Sequence, residues 1–397
     1  MKNFVYISPN FPKTYWRFCA ALKRNGFRVL GIADCAYYEL APELKASLDD
    51  YYQVYNMEDI KNQIEAVSYF QKKYGQIDYI ESNIEYWLAK DAILREWFNI
   101  PTGFRPKELD ICTHKSMMKE RYIKAGVPVA KYIIVKDYEQ VKEFAKEVGY
   151  PIFIKPNVGV GAYGDYKIKN EEDIVQFFNE KANIEYICEQ YITGNIVSFD
   201  GVCDSQSNVI FCTSNEFPPS IAEAVENKVD IFYYTVKKLD PKFEAIGKAV
   251  IKAFEVKNRF FHLEFFRLTK PAKGVGKVGD IVALETNMRP AGGYTPDLIN
   301  FANSVDCYQI WADSIAFDEN RQDMSYPKYY AACASRRDNF QYLHSDDDIK
   351  VKYKDKLAWV DRYPPVFSGA MGDRFFMAKL DTLKEVEEFK EYCETRK

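Results

Sequence analysis

Short apolar runs separated by amphipathic helical stretches and punctuated by glycine constrain the start of this chain more than any other feature. Phe4 to Ser8 and Phe27 to Ile32 read as buried strands, and Asp50 to Tyr55 and Ile77 to Ile80 as shorter ones. Between them, Lys13 to Asn25 carries Tyr15, Phe18, Cys19 and Leu22 at helical spacing and stops at Gly26. Met57 to Tyr74 is helical with Gly75 as its stop, and Glu85 to Phe98 is helical again. Parallel strands need a crossover, and a helix supplies it, so this alternation predicts a parallel sheet with helices on its faces. A small Rossmann-like layer is the expected result. Its first turn, Ser8-Pro9-Asn10-Phe11-Pro12, lacks the glycines that seat a dinucleotide pyrophosphate, so no NAD site is expected there.

Ile100-Pro101-Thr102-Gly103 breaks the pattern and marks a first boundary. Beyond it the reading gives a helix near Thr113 to Ala125, a strand at Tyr132 to Val135 and a helix from Tyr138 to Val148 stopped by Gly149. Two strands follow, Ile152 to Lys155 and Asp165 to Ile168, then a helix at Glu172 to Phe178. After Ile187 the chain is strand-rich, with a helix near Phe243 to Phe254, and the tail from about Asn300 is mixed. The class is therefore α/β and α+β. With 397 residues, 47% of them hydrophobic, there is apolar material for more than one core.

Charge excludes several roles. The 54 Lys and Arg and 58 Asp and Glu are interspersed, giving a formal charge of −4 without a basic tract, so no nucleic-acid partner is expected. No run approaches the ~20 apolar residues of a membrane span, and no signal-like segment opens the chain. Nine scattered cysteines without a C-x-x-C pair, and only three histidines, disfavour a zinc site and suit free thiols in the cytoplasm.

Two features carry chemistry. Gly159, Gly161 and Gly164 form G-x-G-x-x-G, but the residues after it, Asp165 to Lys169, alternate like a strand. A dinucleotide fingerprint must open a helix, so this loop instead joins two strands, where backbone N–H groups can close on phosphate oxygens. Lys155 ends the strand before it, placed to set a point charge on a phosphate. Lys115 opens the preceding helix, and Glu189-Gln190-Tyr191-Ile192 ends an apolar strand whose backbone could meet an adenine edge. Each of these alone is as well explained by ordinary surface or strand-end chemistry.

The second feature is a pair of acidic strands. Phe260-Phe261-His262-Leu263-Glu264-Phe265-Phe266 sets a carboxylate inside an apolar strand, and Val282-Ala283-Leu284-Glu285-Thr286-Asn287-Met288-Arg289 does so again. A glycine-containing segment, Lys270 to Asp280, makes them a hairpin. Residues two apart share a strand face, so Glu285, Asn287 and Arg289 align, and Glu264 could join them. Two carboxylates and a carboxamide suit Mg²⁺, and an arginine beside them could stabilise a transferring phosphoryl group.

This ordered set resembles the ATP-grasp superfamily over roughly Lys115 to Asp313. The N-terminal layer is similar to the Rossmann-like pre-ATP-grasp domain of that superfamily. The resemblance implies Lys115 and Lys155 as nucleotide-binding lysines and Gly159, Gly161 and Gly164 as the phosphate-covering loop. It implies Glu189, Gln190, Tyr191 and Ile192 as the adenine hinge, Glu264, Glu285 and Asn287 as metal ligands, and Arg289 on the reacting phosphate. It divides the chain into 1–104, 105–313 and a C-terminal segment, 314–397, packing on the ATP-grasp core. The middle part divides again into a lid at about 113–190 and a metal and substrate part at about 191–313. The acidic residue that the family often places about seven positions after the hinge glutamate is absent, Ile196 standing there, and Asp200 is one alternative for the ribose.

The implied activity is that of a magnesium-ATP-dependent carboxylate–amine ligase, with Mn²⁺ as an alternative ion and room for a homodimer. Its substrates would be small acids and amines, an amino acid or short peptide among them. Asn83, Glu85, Arg336 and Arg337 are substrate candidates, and the segment from Phe217-Pro218-Pro219-Ser220 to Tyr233-Tyr234 could be a substrate loop. Two other readings stand beside it: a carboxylase-type enzyme activating bicarbonate or formate, and a nucleotide-binding regulatory protein without catalysis.

Overall fold

The computed structural model describes residues 1–159, 164–218 and 230–397. Its first sheet contains β1 (Asn3–Ile7), β2 (Arg28–Ala33), β3 (Asp50–Gln53) and β4 (Tyr79–Glu81), all parallel in the order β3-β2-β1-β4. Every residue of β1 is buried, as a strand covered on both faces should be. The helices Trp16–Arg24 and Ile60–Tyr74 make crossovers. Gly75, at φ 86°, ends the second in a conformation that favours glycine.

The second sheet is small and antiparallel: β5 (Tyr132–Ile134), β6 (Ile152–Pro156), β7 (Tyr166–Ile168) and β8 (Tyr186–Gln190), in the order β5-β8-β6-β7. The helices Tyr138–Val148 and Glu171–Glu180 bury Val141, Phe144, Ile174 and Phe177 against it. Asp137 caps the first by accepting from the Gln140 N–H, and Asn170 caps the second.

The third sheet has nine strands among the described residues: β9 (Gly194–Cys203), β10 (Val209–Thr213), β11 (Asn215–Phe217), β12 (Phe232–Thr235), β13 (Phe260–Leu268), β14 (Ile281–Asn287), β15 (Tyr330–Arg336), β16 (Leu357–Arg362) and β17 (Arg374–Leu380). Its path is β14-β13-β9-β11-β12-β15-β17-β16, with β10 also on β9. The helix Pro241–Phe254 settles closely on β9 because Gly247 has no side chain. A Cβ there would fall 2.3 Å from the Phe199 ring.

The C-terminal strands differ from the sequence expectation. They extend the large sheet: Phe232–Thr235 of β12 pairs with Ala331–Ala334 of β15. Without that pairing β12 would present an open edge. The expected substrate loop also changes character, because Tyr233 and Tyr234 are buried within β12 and Phe217 is a buried residue of β11. Pro219 and Ser220 lie outside the described residues.

The layers are joined through their cores. Trp311, on the helix Cys307–Phe317, packs edge-on against Phe4 and Phe18 of the first layer. Buried Glu81 at the end of β4 receives Arg95 at 2.9 Å and also Arg259, which donates to the Met288 carbonyl at 2.9 Å. One carboxylate thereby ties the parallel sheet to the strand that leads into Arg289. No helix among the described residues is long and apolar enough to cross a membrane.

Candidate functional site

The strand pairing brings the acidic residues together. Glu264 lies directly opposite Glu285, and His262 opposite Asn287, in the antiparallel ladder of β13 and β14. A register irregularity follows Glu264, before Phe265. Directly opposed residues have Cβ atoms roughly 4.5–5.5 Å apart, so two carboxylates share one small area. Burial and the like charge of Glu264 push the Glu285 carboxyl up, while Lys115 and Lys155 pull it down. Glu264 is held below its ordinary value despite burial, because His262 donates to it and Arg289 and Lys155 add positive charge. Backbone contacts fix this strand: the Tyr122 hydroxyl donates to the Glu285 carbonyl at 2.8 Å and receives the Thr286 hydroxyl at 2.5 Å.

The opposing wall is cationic. Glu189, buried in β8, accepts from Lys119 at 2.9 Å and Lys155 at 3.0 Å. Burial alone would raise its carboxyl, but the two ammonium groups lower it to about 2. The lysines then part ways. Lys119 is lowered because burial outweighs its one carboxylate. Burial also opposes charge on Lys155, yet Glu189, Glu285 and Asp165 together raise it. Lys115 is lowered by burial, with Glu285 acting against the shift. Its ammonium donates to the Gly159 carbonyl at 2.9 Å, and Asn157 fixes the same junction by accepting from the Ser116 N–H at 2.9 Å. Gly159 and Gly164, at φ 145° and 83°, frame the loop, and Gly161 lies outside the described residues. Beyond Glu189 the hinge runs through buried Gln190 and half-exposed Tyr191 to buried Ile192.

Arg289 closes the acidic side. Its Nε donates to Glu85 at 2.9 Å, one Nη to the Pro290 carbonyl at 2.8 Å and the other to Asn287 Oδ1 at 3.3 Å. Glu85 therefore belongs to the cluster. Asn83 sits nearby, fully buried at φ 58°, its carbonyl receiving the Tyr15 hydroxyl at 3.2 Å. It follows β4, where ligands of parallel sheets commonly bind.

Two expectations are corrected. Arg336 is fully buried in β15, its guanidinium on Asp346 at 2.9 Å and on the Cys393 carbonyl at 2.7 Å. Arg337 donates to the carbonyls of Ser368 and Gly369. Neither is in this cluster: Arg336 is committed to the C-terminal layer by pairing with Arg374 of β17, and Arg337 follows it at the end of the strand. Asp200 is no ribose ligand either: it is buried and bonds His262 Nδ1 at 2.6 Å. Burial would lower the His262 pKa, but Asp200 and Glu264 raise it to about 9. The sequence reading missed His262 and Lys119. His262 shares a strand face with Glu264, and Lys119 shares a helix face with Lys115, spacings that were available signals.

No group of three His, Cys, Asp or Glu side chains is arranged for a metal ion among the described residues. The donor set here is two carboxylates and one carboxamide. All donors are oxygen, which fits Mg²⁺ bound with water and phosphate oxygens completing the shell.

Known proteins can be set beside this geometry. The family described as carbamoyl-phosphate synthase L chain, ATP binding domain, matches residues 114–222. An L-arginine-specific L-amino acid ligase of Bacillus subtilis is 24% identical over 255 residues, 61% of this chain and 58% of that protein. A D-alanine–D-alanine ligase B of Clostridium perfringens is 33% identical over 91 residues, 22% of this chain and 30% of that one. The chain thus spans well under two thirds of these relatives' lengths. Among solved structures, an L-amino acid ligase from Bacillus licheniformis superposes with TM-score 0.69 at 14% identity, covering 98% of this chain and 96% of that one. The biotin carboxylase domain of Hydrogenobacter thermophilus 2-oxoglutarate carboxylase, solved with MgADP and bicarbonate, gives 0.69 at 16% identity, with 99% and 90% covered. Residues 114–222 thus match a family of ATP-binding domains, and the chain as a whole has the ATP-grasp fold.

Proposed function

We propose that this protein is a magnesium-ATP-dependent carboxylate–amine ligase. The observation that carries the reading is the pairing of opposite walls: Glu264 faces Glu285 on adjacent strands while Lys115 and Lys155 act electrostatically on Glu285. A nucleotide triphosphate with its divalent ion presents the complementary charges.

Lys115, Lys155 and the loop from Gly159 to Gly164 hold phosphate oxygens, and residues 189–192 hold the adenine. Glu264, Glu285 and Asn287 would hold Mg²⁺, which when bound neutralises phosphate charge. A substrate carboxylate oxygen attacks the γ-phosphorus, the bond from phosphorus to the bridging β–γ oxygen breaks, and ADP leaves. Arg289 stabilises the charge on the transferring group. The amine nitrogen then attacks the acyl carbon, the carbon–oxygen bond to phosphate breaks, and the nitrogen gives up its proton. Amide, ADP and phosphate result. Glu85, whose carboxylate already holds Arg289, and Asn83 line the substrate side. Positioning and charge neutralisation are the protein's contribution.

Similarity to a carboxylase domain gives a second reading, in which bicarbonate is the activated acid. The test for both is magnesium-dependent ADP release against pooled amino acids, dipeptides and small acids, with mass spectrometry of products. A dehydrated conjugate from one acid–amine pair supports the ligase. ADP release driven by bicarbonate without any amine supports the carboxylase. ATP binding with no turnover in any pool contradicts both.

A further inference from the structure

The geometry points to His262 as a positioning residue that fixes the orientation of Glu264 for the metal, held in turn by Asp200 on the neighbouring strand. The inference rests on the proposed assignment of Glu264 and Glu285 as metal ligands.

His262 is buried, and both ring nitrogens are engaged. Nε2 lies 3.1 Å from Glu264 Oε1, and Nδ1 lies 2.6 Å from Asp200 Oδ1. The strand register dictates this: β9 pairs with β13 so that Asp200 opposes His262 and Ser198 opposes Glu264. Asp200 cannot turn away. Its Oδ2 receives the Ser198 hydroxyl and the Asn215 amide, the latter at 2.8 Å, and Asn215 Oδ1 receives the Thr235 hydroxyl at 2.6 Å. The row Thr235–Asn215–Asp200–His262–Glu264 crosses β12, β11, β9 and β13 within the sheet. Apart from half-buried Glu264 at its end, each member is at least nine-tenths buried.

A carboxylate on a strand facing a second carboxylate would rotate or move aside to relieve repulsion. Here one oxygen of Glu264 is occupied by the imidazole, which sets the plane of the carboxylate and leaves its other oxygen for a cation. A polar group behind a ligand ordinarily serves this purpose in metal sites. A purely structural role would need the bond to Asp200 but not the bond to Glu264, and that difference is testable.

His262→Gln keeps an N–H donor at the reach of Nε2, whereas His262→Asn keeps one near Nδ1 only. The probe is Mn²⁺ binding in the presence of ADP, read by the electron paramagnetic resonance of free Mn²⁺, which needs no turnover. His262→Asn is expected to weaken Mn²⁺ binding by about 10- to 100-fold, with His262→Gln restoring it to within about threefold of the wild type. Equal affinities in the two variants overturn the positioning role. Should neither fold, Asp200→Asn serves: weakening of about three- to tenfold is expected, since the ring loses its anchor but not its place, and unchanged affinity overturns the inference. Wild-type protein that binds no Mn²⁺, or Glu285→Ala that binds it as well as wild type, instead overturns the metal assignment and the proposed function with it.

Discussion

The small sheet and the large sheet solve opposite electrostatic problems. On the small sheet side, Lys119 and Lys155 share one buried carboxylate, Glu189, and Lys115 donates to a backbone carbonyl. Positive charge is in excess there but anchored. On the large sheet, Glu264 and Glu285 oppose each other, and no described side chain neutralises Glu285 directly. Negative charge is in excess there. Each wall is unfavourable alone, and under the proposed function a metal-bound polyphosphate would satisfy both. Local rules of folding are broken at these two places, as expected where a site is built.

The strongest way to break this comparison is to remove one charge from each wall. Lys155→Ala and Glu285→Ala should each cut ATP turnover by on the order of 100- to 1000-fold, measured as ADP release. Circular dichroism should show both folded. Turnover near wild type in both would mean that the walls are not used.

A second substitution sharpens the contrast between anchored and free charge. Lys119→Met leaves Glu189 with one partner in a buried place, so unfolding free energy should fall by on the order of 3–5 kcal/mol, read from denaturant midpoints. The same buried group gives a pH signature. Its carboxyl is depressed to about 2 in the folded chain. Its contribution is therefore present above the unfolded value near 4.5 and is lost as pH falls toward 2. That difference corresponds to about 3 kcal/mol. Glu189→Gln should flatten this part of the acid-stability curve, and an unchanged curve would contradict the pairing.

The smallest effect is expected outside both walls. The Arg337 guanidinium donates to the carbonyls of residues 368 and 369. Arg337→Ala should leave ATP turnover within about twofold, because surface changes away from a site are usually mild. A larger loss would bring the C-terminal layer back into the site.

How much of this was legible follows from range along the chain. The helix Tyr138–Val148 and its stop at Gly149 are local matters of periodicity and capping, and the structure has that helix over the same residues. Glu264 and Glu285 were readable because a single hairpin joins them. His262 meets Asp200 across 62 residues and a β9–β13 register that no local pattern fixes. Arg336 stood as a substrate candidate because its partners, Asp346 and Cys393, come from later elements. The strands after residue 314 read as a separate segment because pairing on β12 is decided by an open edge.

The central claim is that one metal-bound nucleotide bridges the two walls, and calorimetric titration of ADP with and without Mg²⁺ tests it most directly. Reciprocal coupling of at least about tenfold is predicted in the wild type, and it should vanish in Glu285→Ala. Equal ADP affinity with and without the metal, or coupling that survives Glu285→Ala, would contradict the account.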